Sequence, residues 1–157
     1  MSDQFDFIGA TDKPALLAFS TPEWLEGVKA ALQELGYKIH TAATYGDFLV
    51  RFGQVRYQVV IVEERFAANT LEENLTLRAF QDMTMSQRRH ATIILFGESF
   101  QTFTPMQVFQ QSVHAVINSF ELFLVKQLIE KAVADNAMFL HSYHEVQVWI
   151  LFFGNCL

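Results

Sequence analysis

Five short apolar runs, separated by stretches patterned as helices, constrain this chain more than any other feature. They are Ala15–Phe19, Ile39–Thr44, Gln58–Val62, Ala91–Phe96 and Ala115–Ile117. Runs this short, apolar on both faces and often β-branched, read as central strands of a parallel sheet. Their alternation with helices predicts βα units, because neighbouring parallel strands need a crossover that a helix supplies. In such sheets ligands and chemistry gather at the carboxyl ends of the strands. Those ends read Ser20-Thr21, Glu63-Glu64, Phe96-Gly97 and Asn118-Ser119.

Ser20-Thr21-Pro22-Glu23 predicts a helix start. Ser20 or Thr21 caps, Pro22 suits the first turn, and Glu23, three residues after Ser20, completes a capping box. Trp24/Leu25, Val28, Leu32 and Leu35 recur at helical spacing up to Gly36, a natural terminator. A second helix is expected from Tyr45 to Gly53, with Phe48, Leu49 and Phe52 on one face. Asn69 to Met85 reads as a third, interrupted by loops, with Leu71, Leu75 and Phe80 in the core. Thr104 caps a fourth, over Pro105 to Gln111.

The last helix starts near Phe120, and Phe123, Leu124, Leu128, Ile129, Val133 and Ala137 form its core-facing stripe. The pattern continues through Phe139, Leu140, Tyr143, Val146 and Ile150 into Trp149-Ile150-Leu151-Phe152-Phe153. Such a helix reaches ~45 Å at 1.5 Å per residue, whereas the domain's radius of gyration is near ~15 Å. Either it breaks near Asp135-Asn136 and folds back, or its distal part meets another chain. Three destinations are open for Val146 to Phe153: the core, a homodimer or partner surface, and membrane contact. For the last, no basic flank accompanies the aromatic residues.

The length of 157 residues fits one domain, and 51% hydrophobic residues with 16 Phe predict a packed globule. A net charge of −6 argues against nucleic acid and anionic membranes. The short basic cluster Arg88-Arg89-His90 reads as a solvated loop. Cys156 is the only cysteine, which excludes an intramolecular disulfide and a multi-thiolate zinc site. Met1 to Asp12 lacks the charge and apolar pattern of a signal peptide, and no run approaches the ~20 apolar residues of a membrane span. A cytoplasmic protein is expected.

Glu63 and Glu64 invite an acid–base reading. Adjacent strand residues point to opposite faces, so strand-end solvation is the expectation and no enzyme is predicted. His141 and His144, with Glu145 or Cys156, have metal-ligand residue types, but a helix-surface pair is the simpler reading. No glycine-rich phosphate cradle is present, so neither metal nor cofactor is expected.

Tyr57-Gln58-Val59-Val60-Ile61-Val62-Glu63 and Asn118-Ser119-Phe120 carry a resemblance. The longer segment is similar to a tyrosine, a polar residue and an apolar run leading to a phosphorylated aspartate. The shorter one is similar to a lysine-proline-phenylalanine, in degraded form. Over Lys13 to Ala134 the chain resembles the receiver domain of two-component response regulators, as a degenerate pseudo-receiver. The resemblance implies that Ser20 and Thr21 stand where an acidic pair would hold Mg²⁺, and Glu63 where the phospho-acceptor would be. It places Phe96 at the hydroxyl position and Asn118 at the lysine position. Hydroxyls are poor ligands for a hard cation, and without the lysine a phosphate loses its cation. Ala115 stands at the switch aromatic, so Phe96 is expected to fill the space of the switch ring.

The fold class expected is therefore α/β: a flavodoxin-like, three-layer sandwich with a five-stranded parallel sheet in the order 2-1-3-4-5 and an extended C-terminal helix. Residues 1–12 are a lead-in, 13–134 the pseudo-receiver domain, and 135–157 a helical, apolar extension. The expected role is a phosphorylation-independent regulatory or scaffolding module of a bacterial-type signalling pathway, acting by protein–protein contact with an unknown signalling protein. Phe109, Val113, Phe123 and Gln127, on the face that the resemblance assigns to output, form the expected contact surface. Leu140, Tyr143, Val146, Trp149 and Ile150 extend it into a homodimer. The alternative is a small-molecule or nucleotide sensor with its ligand over the strand ends near Ser20, Glu63 and Phe96. An apolar pocket there favours the sensor; a filled crevice beside an exposed apolar helix favours the scaffold.

Overall fold

The computed structural model describes residues 7–153. In chain order the elements are β1 (Lys13–Ala18), α1 (Pro22–Glu34), β2 (Tyr37–Ala42), α2 (Tyr45–Gln54), β3 (Val59–Glu63) and α3 (Leu75–Asp82). They continue with α4 (Met85–Arg88), β4 (Thr92–Gly97), α5 (Pro105–Gln111), β5 (Ala115–Asn118), a 3-10 helix (Ser119–Leu124) and α6 (Val125–Phe153). All five strands are parallel, in the order β2-β1-β3-β4-β5. The alternation predicted a parallel sheet, and the order is the flavodoxin-like one expected with the resemblance.

Strand side chains alternate between faces and build two cores. Leu16, Val60, Ile93 and Val116 pack with Phe48 of α2 and Phe80 of α3. Leu17, Ile61, Ile94 and Ile117 pack with Val28 and Leu32 of α1 and Ile129 of α6. The register sets Glu63 beside Phe96 and Gly97 beside Asn118. The carboxyl ends of β3, β4 and β5 therefore share one edge of the sheet.

Several local expectations are corrected. At the start of α1 Thr21 is the N-cap, but its side chain makes no capping bond. The hydroxyl serves a distant acceptor instead. Gly36, at φ +81°, stops α1 as expected. The third helix is two short ones, and Leu77 with Phe80 fill its core while Leu75 is exposed. Leu49 is also exposed.

The stripe expected on the last helix holds at Ile129, which is buried, and at Leu128 and Val133, half-buried against the same core, but fails at Phe123, Leu124 and Ala137. Residues 119–124 wind as a 3-10 helix, and Glu121 has non-helical backbone angles. At three residues per turn this segment shifts the apolar phase, leaving Phe123 and Leu124 exposed. The buried positions are Val125, Ile129, Ala132 and Asn136, and Ala137 faces solvent. Asn136 is held by a hydrogen bond from Nδ2 to Thr92 Oγ1 of 2.9 Å. The helix then passes Asp135-Asn136 without a break and runs on to Phe153. Val146, Val148, Trp149, Ile150, Leu151 and Phe152 are all more than half exposed, so the domain core is not their destination.

The basic cluster is not a solvated loop. The Arg88 guanidinium donates to the carbonyls of Phe80 and Ser112, each at 2.9 Å. It ties the end of α3 to Ser112, which closes α5 in the left-handed region at φ +55°. His90 stacks on Phe52, and burial, with Arg56 nearby, lowers its pKa.

Candidate functional site at the strand ends

Glu63, which ends β3, and Glu64, which follows it, are buried, only 4% and 3% exposed, which corrects the expectation of solvated carboxylates. A buried charge needs hydrogen-bond partners, and Glu63 finds them at the turn after β1. Its Oε2 accepts the backbone N–H of Ser20 at 2.7 Å and of Thr21 at 2.9 Å. Its Oε1 accepts the Thr21 hydroxyl at 2.8 Å. The Ser20 hydroxyl accepts the N–H of Ala67 at 2.9 Å, a residue at φ +51°. Ser20, Thr21 and Glu63 thus converge, and they bind one another.

Glu64 points to the other face. Its Oε1 accepts the Ser99 hydroxyl at 3.2 Å and lies 3.9 Å from Arg65 Nε. Gly97 makes room for it, because a Cβ at that position would lie 2.6 Å from Glu64 Cδ. Sequence reasoning missed Asn74, which is 1% exposed. Its Nδ2 donates to the carbonyls of Glu63 and Glu64 at 2.9 and 3.0 Å, and its Oδ1 caps α3 through the Leu77 N–H at 3.1 Å. An Asn before an apolar helix is a legible cap; its link to β3 is not.

Phe96 is fully buried, and the rings against it are Phe19 at 5.6 Å and Trp24 at 5.5 Å between centroids. It shares a core with Ala115, yet its aromatic neighbours lie on the β1 and α1 side, across β3 from β5. Asn118 is turned to the loop after β4. Its Nδ2 donates to the Phe100 carbonyl at 2.7 Å, its Oδ1 accepts the Phe120 N–H at 2.7 Å, and its own N–H reaches Thr102 Oγ1 at 2.9 Å. Above these residues lies a cleft of about 490 Å³, bordered by Thr21, Trp24, Glu63, Arg65, Asn69 and Glu98. Arg65 and Glu98 pair across its rim at 3.5 Å. The floor is filled and the lining largely polar.

The expected contact surface is partly present. Phe109 and Phe123 are exposed by 83% and 80%, and Gln127 is exposed. Val113 is not available, since it is 8% exposed in the core under α5. On α6, Leu140 is half-buried, while Val146, Trp149 and Ile150 are exposed. The side chains of Tyr143 and His144, like Cys156, lie outside the described residues. His141 pairs with Glu145 at 3.1 Å. Among the described residues no group of three His, Cys, Asp or Glu is placed to hold a metal ion, and no helix is long and apolar enough to cross a membrane.

Comparison with solved structures places this architecture. The chemotaxis response regulator CheY4 of Vibrio cholerae superposes with a TM-score of 0.62 at 17% identity, over 78% of this chain and 99% of that one. A response regulator from Thermotoga maritima gives 0.59 at 12% identity, over 78% and 98%. A putative response regulator from Chloroflexus aurantiacus gives 0.62 at 10% identity, over the same shares. The fold is that of response-regulator receivers. At such identities the likeness speaks for the receiver fold alone. No family model and no curated protein matches the chain. Each receiver structure covers about four-fifths of this chain and nearly all of itself, so this chain is longer than any of these three.

Proposed function

We propose that this chain is a phosphorylation-independent regulatory or scaffolding module of a bacterial-type signalling pathway, a pseudo-receiver that works through protein–protein contact. The observation that carries this reading is the Glu63 carboxylate. All three of its hydrogen bonds come from Ser20 and Thr21, the residues standing at the acidic-pair positions. Both oxygens are engaged, so neither is presented to an incoming phosphoryl group. In-line transfer depends on a positioned nucleophile and on cations that neutralise charge. Here Asn118 is committed to the loop carbonyls, and Phe96 contributes an apolar ring where a hydroxyl would help.

The filled strand ends, next to a helix with exposed apolar residues, favour the scaffold over the sensor, which calls for an apolar pocket. Contact then falls to the surfaces that exposed aromatic and aliphatic residues mark. These are Phe109 on α5, Phe123 on the 3-10 helix, and the distal part of α6, through which the chain pairs with its own copies. An enzymatic role is not part of this reading.

Incubation with acetyl phosphate and Mg²⁺, followed by intact mass spectrometry, tests it. The expected spectrum is that of the unmodified chain. A stable phosphate adduct at Glu63 overturns the reading.

A further inference from the structure

The distal part of α6 presents apolar side chains around its whole circumference. Successive helical residues are rotated by about 100°, so the five consecutive residues Val148 to Phe152 go once around the axis. Each of them is more than half exposed, from 51% for Val148 to 73% for Phe152. An ordinary surface helix has an apolar stripe roughly 100° wide and a polar opposite face. This segment has no polar opposite face among those five residues. A helix apolar all round belongs inside something.

What encloses it can be argued from charge, length and area. A membrane span is too demanding, since no described helix is long and apolar enough to cross a bilayer. A helix lying in an anionic membrane surface needs basic residues on its polar face. After Lys131 the sequence has no Lys or Arg, and the net charge is −6. One partner helix covers a single stripe, about a third of the circumference, and leaves the rest in water. The eight exposed apolar residues from Met138 to Phe152 carry on the order of 1,000 Å² per chain, more than the ~800 Å² that each partner contributes to a standard interface. Little repulsion opposes packing copies together, because Glu145 is the only Asp, Glu, Lys or Arg between Asn136 and Phe153.

We propose that the distal α6 segments of three or more copies of this chain pack into one helical bundle, each enclosed by the others. This rests on the reading of α6 as a contact surface, and it adds the occupant and the number of copies. The roughly 20 Å of helix beyond Leu140 is long enough for several turns of packing. In a bundle of this kind every face of the segment matters, whereas in a helix pair only one does.

Val148 and Ile150, about 200° apart on the helix, supply the test. Sedimentation equilibrium of the full chain at micromolar concentration should give about three or more chain masses. Val148→Glu and Ile150→Glu should each disperse the assembly to smaller species, with the domain still folded by circular dichroism and any fall in melting midpoint dependent on protein concentration. A dimer overturns the enclosed bundle, while self-contact through α6 stands if either substitution disperses that dimer. A larger assembly indifferent to both substitutions overturns the placement on α6. A monomer overturns self-association altogether; flotation of that monomer with zwitterionic vesicles would make lipid the occupant. None of these outcomes bears on phosphate chemistry, which mass spectrometry reads separately.

Discussion

The Thr21 hydroxyl donates to Glu63 Oε1 at 2.8 Å, across 42 residues of sequence, instead of capping its own helix. Capping would have the hydroxyl oxygen accept a helix N–H; here the hydroxyl is oriented by donating to a carboxylate, and charge-assisted hydrogen bonds are roughly twice as strong as neutral ones. The N–H groups of Ser20 and Thr21 reach the same carboxylate, so β3 and the start of α1 are fastened at one point. Glu63→Gln should destabilise the fold by about 1–3 kcal/mol, since glutamine keeps one acceptor oxygen and sets an NH₂ donor against donors at the other. Thr21→Val, which removes one donor and keeps both N–H groups, should cost less. Urea melts of the three proteins check the order, and an unchanged midpoint for Glu63→Gln would show that the clamp contributes nothing.

A further prediction follows from the ring partners of Phe96. Its neighbours Phe19 and Trp24 are both tilted against it, the geometry aromatic pairs prefer. Phe96→Thr should cost roughly 2–4 kcal/mol as a large-to-small core change. A double-mutant cycle of Phe96→Leu with Trp24→Leu should return a coupling of about 0.5–1.5 kcal/mol beyond burial. Strict additivity in denaturant would mean that the rings fill space without recognising each other.

The third concerns Gly97. A Cβ built there would meet Glu64 Cδ at 2.6 Å, Cγ at 2.7 Å and Cβ at 2.9 Å. Because Glu64 Cβ itself is too close, rotating the carboxyl away cannot relieve the clash. Gly97→Ala should therefore force the end of β4 away from β3, at a cost of about 1–3 kcal/mol. The same substitution at Gly53, where nothing lies within 4 Å, should be neutral or stabilising. Thermal melts of the two variants give the comparison, and equal midpoints would contradict it.

The strands were legible because a parallel sheet buried on both faces demands apolar, β-branched runs, and Val59 to Val62 supply one. Gly36 was legible because a left-handed stop favours glycine. Less could be read where a polar side chain has a distant partner. Thr21 has the residue type of a cap, yet its acceptor is Glu63. Asn74 and Asn136 gave no sign that they fasten β3 and β4. The two glutamates have the pattern of solvated strand ends, and only three-dimensional pairing makes the burial of Glu63 tolerable. Phe123 and Leu124 were misplaced because a 3.6-residue count was carried through a segment that winds at three, whereas Leu128, Ile129 and Val133 took their expected places. The candidate site was located by strand order, while the bonds that close it were not in view.

The last prediction concerns acid. His114 Nδ1 accepts the Ile93 N–H at 2.8 Å, so the imidazole is neutral with its proton on Nε2. Burial, with the Arg88 guanidinium nearby, lowers its pKa to about 4 from the usual 6.5. Protonating it in the folded state would set N–H against N–H and add charge beside an arginine. The unfolded chain takes up its proton near the usual value, so below that point it binds more protons than the folded one. By linkage the stabilisation is fully present above about pH 6.5 and is lost as pH falls toward 4. Its size is at most about 3–4 kcal/mol at 1.36 kcal/mol per pKa unit. His114→Asn keeps an acceptor for Ile93 and cannot titrate. Urea melts of both proteins between pH 7 and pH 4 should show a steeper fall for the unmodified chain. Parallel curves would mean that His114 titrates alike in both states.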